Sequence, residues 1–336
     1  MFITLDVPIF YMIINTGMRT DIPAFYSEWL IRRLKEGFAM SRSPYSPDIV
    51  YRYEINPECV DLLSLCTKNP IPMLDKMNIL EKYPQFWYVT ITPYGKDIEP
   101  NLPDKTEITR AFKALSLILR RRNSHCIGWR YDPVIITKKY DEDFHRESFA
   151  EMAAALQGYT EICVISFIDI FEKVKRNFPE AREVPMESRH SLGRFFAETA
   201  ARHGMKLKPC AEGSYLSEYG ADCSGCLTIP MFEAAIGEKL SVPAENRKRA
   251  SRTITEGGKS MAGNCACHLS ADIGAYDSCG HLCKYCYANS SAEAVKRNMA
   301  RHNPSSPLLI GRPMPSDKII KAKQQAWRTG QGMLLL

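Results

Sequence analysis

The chain has 336 residues, of which 45% are hydrophobic and 24% are charged, and its formal net charge is +6. This composition excludes a disordered protein, and the length fits one large α/β domain or two smaller ones. No apolar run approaches the roughly 20 residues that span a bilayer, and the apolar residues 1–14 lack the basic start and cleavage site of a signal peptide. We therefore expect a cytoplasmic protein without a membrane partner.

Strand and helix patterns alternate through the first two thirds of the chain. Short apolar runs that end in turn residues predict strands at 9–14, 62–66, 86–91, 127–131, 162–168 and 205–209. Helical patterns lie between them, as where apolar residues recur at Ile108, Phe112, Leu115 and Leu119. Six β/α units with continuously apolar strands predict a parallel sheet covered by helices, in a full or partial TIM-like (β/α) barrel.

The composition also divides the chain into segments. We expect barrel units in 1–212, an irregular connection in 213–262, a cysteine-rich segment that completes the barrel in 263–300, and a basic tail in 301–336. Residues 271–276 (ADIGAY) predict one further strand. From residue 296 onward, eight Lys and Arg residues accompany a single acid. Such a tail is typical of a solvated face, and nucleic-acid binding stays open as the alternative.

Polar residues at the predicted strand ends are candidates for function, because parallel α/β folds carry their chemistry where strands end. They are Asn15, Arg19, Asp21, Lys68, Asn69, Thr90, Thr92, Arg130, Asp132, Ser166, Asp169 and Glu212. Each residue is as typical of a structural hydrogen bond as of a ligand contact. Cofactor contacts are expected from Thr92, Arg130, Asp132, Ser166 and Glu212.

Twelve cysteines in a chain without an export signal favour bound metal over disulfides, because cytosolic thiols stay reduced. Four of them are scattered among apolar neighbours and are expected to be small core residues, namely Cys59, Cys66, Cys126 and Cys163. The other eight follow residue 209 in three tight groups. The position of these groups predicts metal binding in the last third of the chain.

One group, Cys279, Cys283 and Cys286, stands in the string CGHLCKYC. Thiolates spaced four and three residues apart can surround one face of a [4Fe–4S] cluster, for which cysteine is the usual ligand. Three ligands leave the fourth iron open to a substrate or cofactor. The group therefore predicts a cluster that takes part in chemistry.

Structural zinc is the alternative for this group. Mixed Cys/His sets bind zinc, and the neighbouring residues of these types are Cys265, Cys267, His268 and His281. A structural zinc ion takes four ligands, so the three cysteines alone are one ligand short. The lack of a fourth ligand favours a [4Fe–4S] cluster over structural zinc.

The cysteine spacing, with the aromatic Tyr285 before the third cysteine, resembles that of the radical-SAM superfamily. The resemblance implies that S-adenosylmethionine (SAM) chelates the fourth iron and that Tyr285 lies near the adenine. It also implies an enzyme that splits SAM reductively to a 5′-deoxyadenosyl radical, with an external electron donor such as flavodoxin or ferredoxin. It implies neither the substrate nor the catalytic residues.

Nearly the whole chain is similar to a bacterial family known as a domain of unknown function, which has radical-SAM-like cysteines at its C-terminus. The strings that carry this likeness are 19–26 (RTDIPAFY), 67–70 (TKNP), 92–103 (TPYGKDIEPNLP), 129–133 (WRYDP) and 272–276 (DIGAY). Two features depart from the family. Residues 1–11 extend before its usual start, and residues 15–18 (NTGM) differ from the small, basic residues expected before Arg19.

The cysteine motif comes after six β/α units, whereas in most radical-SAM enzymes it follows the first barrel strand. A circular permutation would reconcile the two orders, with residues 271–276 in the place of the first strand. The cluster loop would then still lie at the C-terminal face of the sheet.

A second metal site is expected from Cys210, Cys226, Cys265 and Cys267, with Cys223 as a substitute for Cys226. Four thiolates fit an auxiliary [4Fe–4S] cluster or structural zinc. A third alternative, in which these residues bind no metal, stays open.

Together these patterns predict a radical-SAM iron–sulfur enzyme whose substrate is unidentified. One alternative is an iron–sulfur electron carrier or scaffold without SAM chemistry, although a carrier should be fully ligated and this motif is not. The other is a nucleic-acid-modifying radical enzyme, which only the basic tail favours.

Overall fold

The computed structural model describes residues 9–121, 123–243, 255–256, 259–260, 267–268 and 271–328. Its strands are β1 (Ile9–Tyr11), β2 (Ile13–Asn15), β3 (Phe38–Arg42), β4 (Ile49–Glu54), β5 (Leu62–Thr67), β6 (Gln85–Thr90), β7 (Ile127–Val134), β8 (Ile162–Phe167), β9 (Lys206–Pro209), β10 (Thr255–Glu256), β11 (Lys259–Ser260), β12 (Ala271–Asp272), β13 (Lys318–Lys321) and β14 (Lys323–Gln325). Its α-helices are α1 (Ile22–Phe25), α2 (Ser27–Glu36), α3 (Met77–Leu80), α4 (Lys105–Arg120), α5 (Glu142–Leu156), α6 (Glu172–Asn177), α7 (Met186–Arg202), α8 (Ile229–Ile236) and α9 (Ala292–Ala300).

Seven strands form the central sheet, in the order β12-β2-β5-β6-β7-β8-β9. Every neighbouring pair is parallel, which confirms the predicted parallel α/β sheet. A strand that is covered on both faces needs apolar residues throughout, and β6 is buried at every position. Within the described part of the chain the sheet begins at β12 and ends at β9, and no pairing closes it into a barrel.

The strand predicted at 271–276 does pair with the first strand of the central sheet, but only at Ala271 and Asp272. It is shorter than predicted because the chain turns after Asp272. The Asp272 carboxylate accepts hydrogen bonds from the Gly274 backbone N–H at 2.8 Å and from Arg19 Nε at 2.9 Å. This turn directs the following residues into the cysteine loop.

A second sheet, of order β13-β4-β3, is absent from the sequence prediction. It combines the antiparallel β3–β4 pair with a parallel contact from β13, and β14 pairs in parallel with β1. The predicted strand at 9–14 is thus divided between β1 and β2. Arg42 and Asp317 are joined by two hydrogen bonds of 2.6 Å. Since Lys318 and Lys321 remain exposed, this part of the basic tail belongs to the fold and also contributes surface charge.

Helices cover the sheet through the apolar faces that the sequence predicts. The buried residues of α4 include Ile108, Phe112, Leu115 and Leu119. Phe149 of α5 stacks on Trp129 with 5.0 Å between ring centroids, and its ring centroid lies 4.4 Å from that of Phe196. These contacts join α5, α7 and β7 in one core.

Helix α8 lies within residues 213–262, which the sequence analysis describes as irregular. Eight residues give little more than two turns, which is too short for a clear helical period. Its side chains Ile229, Met231 and Phe232 are buried against the core. None of the helices in the described ranges combines the length and the apolar character needed to cross a bilayer.

Replacing Phe149 with Ala should lower the free energy of unfolding by about 3–5 kcal/mol, because it leaves a cavity beside Trp129 and Phe196. Leu117→Ala is the matched control, because Leu117 is 59% exposed on α4. Its effect should stay within about 0.5 kcal/mol. Chemical denaturation measures both changes, and equal losses in the two variants would contradict this description of the core.

Candidate metal centre

The three predicted cluster ligands lie in the loop after β12, at the edge where the parallel strands end. Cys283 is buried, and Cys279 and Cys286 are partly buried. Burial raises the pKa of all three thiols, and Asp21, Cys286 and Cys283 raise the pKa of Cys279 further. The thiols are therefore close enough to repel one another as thiolates. A bound cation would allow all three to ionise.

The shape of the cysteine loop is fixed by its neighbours. Asn101 Nδ2 donates a hydrogen bond of 2.8 Å to the Gly280 carbonyl. Gly280 has no space for a side chain, since a Cβ there would lie 2.7 Å from the Phe25 ring. Leu282 adopts a left-handed conformation with φ of 55°, which is uncommon for a non-glycine residue. Such strained positions are typical of functional loops that the surrounding structure holds in place.

Asp21 connects the cysteine loop to the loops after β2 and β5. Its Oδ2 accepts hydrogen bonds from the Lys68 backbone N–H at 2.7 Å and from His281 Nε2 at 2.9 Å. Its Oδ1 accepts one from the Ala24 N–H at 3.0 Å. Asp21 and His281 are both buried. One carboxylate with three donors thus fixes three chain segments relative to one another.

A buried ion-pair network lies beside Cys283. Glu99 is 1% exposed, and its carboxylate accepts hydrogen bonds from Lys105 Nζ and, at 3.0 Å, from Lys68 Nζ. Burial opposes ionisation, but Lys68 and Lys105 hold the pKa of Glu99 at about 2. Two ammonium groups share this one carboxylate, so the network carries an excess positive charge next to Cys283, although burial lowers the pKa of Lys105. That charge suits an anionic group.

Two of the predicted cofactor contacts, Thr92 and Tyr285, belong to the same network. The Thr92 hydroxyl donates to Glu99 at 2.8 Å, and the Tyr285 hydroxyl donates to the same carboxylate. Lys68 Nζ lies 5.3 Å from the centroid of the Tyr285 ring, and the edge-on Tyr94 ring lies 6.1 Å away. The Tyr285 ring therefore has a fixed orientation.

Arg130 and Asp132 of β7 meet Ser166 near the end of β8. Arg130 Nε donates to Asp132 Oδ2 at 2.9 Å, and the Ser166 hydroxyl donates to Oδ1. Burial opposes ionisation, yet Arg130 keeps the pKa of Asp132 below its usual value. The guanidinium lies 5.3 Å from the Tyr88 ring centroid, and its Nη1 lies 3.9 Å from Cys226 Sγ.

Glu212 lies near the β9 edge of the sheet, where protein groups already bind its carboxylate. Its Oε1 accepts the Phe167 N–H at 2.8 Å, and its Oε2 accepts Arg189 Nη1 at 2.9 Å and the Tyr215 hydroxyl at 3.1 Å. These bonds hold the ends of β8 and β9 together. The cofactor contact expected from Glu212 stays a prediction.

The second predicted set of cysteines is partly assembled. Cys226 Sγ lies 3.3 Å from Cys210 Sγ and 3.1 Å from Cys267 Sγ. Cys265 lies outside the described residues. Cys223 contacts a backbone carbonyl instead, with its Sγ 4.0 Å from the oxygen. The structure thus brings together three of the four thiols expected at this site.

The described cysteines of the two sets do not surround a point ready for an ion. Among the residues that the structure describes, no group of three or more His, Cys, Asp or Glu side chains is arranged to hold a metal ion as it stands. Binding requires that each thiol lose its proton, which in the second set removes the thiol hydrogen bonds that join Cys226 to Cys210 and Cys267. The group that each set binds is therefore a matter for proposal.

Three residues of the site escaped the sequence analysis, namely Cys66, Glu99 and Lys105. Cys66 packs against the core, as expected, but it also faces the site at the end of β5. Burial raises its pKa to about 11, and the charged groups that act on it are Arg130, Asp21, Asp132 and Lys68. Glu99 lies in the string 92–103, and the length of this family-like string was the available sign that its residues matter for function. Nothing in the sequence singled out Lys105, which lies at the start of α4.

A family model described as "Domain of unknown function (DUF1848)" matches residues 13–288. The chain belongs to this family. The DUF1848 match begins with β2 and ends after Cys286, so it includes the central sheet and both sets of cysteines. It leaves β13 and β14 outside. No curated protein matches the chain.

In this DUF1848 protein, Glu99→Gln should lower the free energy of unfolding by about 3–5 kcal/mol near neutral pH. The change leaves the ammonium groups of Lys68 and Lys105 buried without their shared counter-charge. The pKa of Glu99 falls from 4.5 to about 2 on folding, so its ionised form stabilises the protein above pH 4.5. That contribution is lost as the pH falls toward 2, and the difference between the two proteins should shrink in acid.

Chemical denaturation at neutral and acidic pH measures this difference. Asp97→Asn is the control, because Asp97 and Lys139 form an exposed ion pair of 3.0 Å. Its effect should not exceed about 1 kcal/mol. A Glu99→Gln loss as small as that of the control would show that the ammonium groups of Lys68 and Lys105 do not depend on Glu99 as their buried counter-charge.

Proposed function

We propose that this protein is a radical-SAM-type iron–sulfur enzyme in which Cys279, Cys283 and Cys286 hold one [4Fe–4S] cluster and SAM occupies the fourth iron. The observation that carries the proposal is a fixed loop of three thiols beside the excess positive charge of Lys68 and Lys105. When bound, the cluster and SAM supply reductive cleavage of SAM to a 5′-deoxyadenosyl radical. An external donor such as flavodoxin or ferredoxin would provide the electron.

The donor set fits such a cluster. Thiolates are its usual ligands, and a thiolate-bound cluster is anionic. Burial raises the pKa of Cys283 to about 12, while the neighbouring Lys68 ammonium lowers it and so favours the thiolate. The ammonium group is held by Glu99 and cannot turn away to solvent without losing that ion pair. This fixed charge supports an anionic occupant over a neutral one.

Tyr285 is the proposed contact for the adenine of SAM. Its hydroxyl is bound to Glu99 and its ring lies against Lys68 and Tyr94. An aromatic ring held in one orientation offers a flat apolar surface to a planar base without the entropy cost of ordering that side chain on binding. Because Tyr285 immediately precedes Cys286, such a surface would lie directly beside the cluster.

We also propose cofactor contacts from Arg130, Asp132, Ser166, Thr92 and Glu212. Asp132, whose other carboxylate oxygen accepts from Ser166, holds the guanidinium of Arg130, which leaves the remaining N–H groups of Arg130 as donors to an anionic part of a cofactor. Thr92 already donates to Glu99 and accepts from Lys105 Nζ at 3.4 Å, so one lone pair of its hydroxyl oxygen is left to accept. To contact a cofactor, the Glu212 carboxylate would have to give up one of its hydrogen bonds from Phe167, Arg189 or Tyr215.

A circularly permuted TIM-like barrel is the proposed finer architecture. From β2 to β9 the strands of the central sheet follow their order in the chain, whereas a doubly wound sheet reverses direction at a switch point. The late strand β12 stands before β2, in the place that the first barrel strand would take. The strand order therefore supports single winding and permutation.

Protein reconstituted without oxygen should hold about four irons and four sulfides at this loop. After reduction it should convert SAM to 5′-deoxyadenosine. The triple variant Cys279→Ala, Cys283→Ala, Cys286→Ala should lose these irons and the product, because no cluster ligand remains. Iron and sulfide analysis, with chromatography of 5′-deoxyadenosine, measures both losses.

Cys59→Ala is the control, because Cys59 Sγ lies 3.5 Å from the carbonyls of Glu54 and Asn56 and away from the cysteine loop. This variant should keep its iron and its activity. Cleavage of SAM that persists in the triple variant would refute the proposal. Iron binding without any cleavage would favour the electron carrier, and salt-sensitive binding of tRNA or DNA would favour the nucleic-acid-modifying enzyme.

A further inference from the structure

Helix α6 lies against the segment that follows Cys286. Lys173 Nζ donates a hydrogen bond of 3.3 Å to the Ala288 carbonyl, and Asn177 Nδ2 donates one of 3.2 Å to the Asn289 carbonyl. Lys173 and Asn177 are four residues apart, so they lie on the same face of the helix. One helix face therefore holds two consecutive peptide groups just beyond the cysteine loop.

The backbone N–H groups of Ala288 and Asn289 act on the sulfur of Cys286. The Ala288 N–H donates to Cys286 Sγ at 3.3 Å. Burial raises the pKa of the Cys286 thiol, and hydrogen bonds from these two N–H groups lower it. An N–H group that points at a sulfur atom favours negative charge on that atom. The segment that α6 holds is thus the source of hydrogen bonds to one proposed cluster ligand.

Lys173 is connected to this sulfur through a peptide group. The Ala288 carbonyl and the Asn289 N–H belong to the same peptide, and the carbonyl accepts from Lys173 and from the Asp277 N–H at 3.2 Å. Donors at the oxygen of an amide polarise it and make its N–H a stronger donor. Lys173 therefore favours negative charge on Cys286 through the peptide as well as through its own charge.

Other contacts fix both ends of this connection. Lys173 is partly buried, and its Nζ lies 4.8 Å from the centroid of the Tyr276 ring. Asn289 is 4% exposed, and its Nδ2 donates to the Cys279 carbonyl at 2.8 Å. The ammonium group and the peptide that it contacts are therefore in place before any group binds to the cysteines.

We propose that Lys173 and Asn177 are positioning residues that set the reduction potential of the cluster bound by Cys286. The inference rests on the proposed function, in which Cys286 binds one of the four irons. One-electron reduction by the external donor makes the cluster more negative, and N–H groups and a cation beside a ligand sulfur stabilise the added charge. Both residues therefore raise the potential and make the cluster easier to reduce.

Lys173→Met tests the charge, because it keeps the length of the side chain and removes the ammonium group. In protein reconstituted without oxygen, one-electron reduction should become about tenfold less favourable, which lowers the potential by about 59 mV. Lys175→Met is the matched control, since Lys175 lies on the same helix and pairs with Glu172 at 2.5 Å in an exposed contact. Its potential should equal that of the wild type. A redox titration followed by EPR measures both potentials.

Two further variants separate these effects from a purely structural role. Lys173→Arg keeps a cationic donor and should retain a potential near that of the wild type. Asn177→Ala changes no charge but releases the Asn289 carbonyl, so it should lower the potential by a smaller amount than Lys173→Met. Iron content should be unchanged in every variant, because none of these residues binds iron.

A Lys173→Met protein with the wild-type potential would overturn the inference, and so would an equal shift in the Lys175→Met control. Loss of iron from Lys173→Met would also overturn it, because the lysine would then be needed to assemble the loop. Wild-type protein that assembles no cluster would contradict the proposed function and this inference with it. A cluster whose potential does not depend on Lys173 would contradict the inference alone.

Discussion

The parallel pairing of β12 with β2 is the contact on which the site depends. Only two residues pair, but the Asp272 carboxylate reinforces them with hydrogen bonds from Arg19 Nε and from the backbone N–H groups of Met18 and Gly274. This pairing carries a C-terminal cysteine loop to the loops that follow the N-terminal strands. Asp21 and Glu99 can then contact His281 and Tyr285, which lie far from them in the sequence.

The edge of the sheet is rich in buried charge, which is costly to remove from water. Asp21, Glu99 and Asp132 are each compensated by several donors, so that each carboxylate keeps its partners inside the protein. Buried ion pairs add little net stability, and a hydrophobic replacement is often as stable. What they provide is a single geometry, in which donors and charges are in place before a ligand arrives. The apolar core beneath, with β6 buried throughout, supplies the stability.

The sequence predicted the parts of the fold that local patterns determine. Apolar runs located the strands of the central sheet, and the period of α4 located its buried face. The β3–β4–β13 sheet was missed because only Val50 and Tyr53 of β4 are buried, which gives neither an apolar run nor an alternation, and because its partner strand β13 lies near the other end of the chain. Glu99 and Lys105 resemble surface charges in sequence, and only the tertiary structure shows that they are paired. The spacing of Cys210, Cys226 and Cys267 could not show that these thiols meet, because they come from separate segments and their Sγ atoms lie within 3.3 Å of Cys226 only in the folded chain.

The order of strands in the sheet also determines when the site can form in a cell. Ribosomes extend a chain at about 5–20 residues per second, and β2 emerges long before β12. Until then one edge of β2 has no partner, and a free strand edge can pair with other chains. The β1–β14 pair forms even later, because β14 is synthesised after β12. A nascent chain therefore carries an incomplete sheet for most of its synthesis, and the cysteine loop can take its place only after β12 has been made.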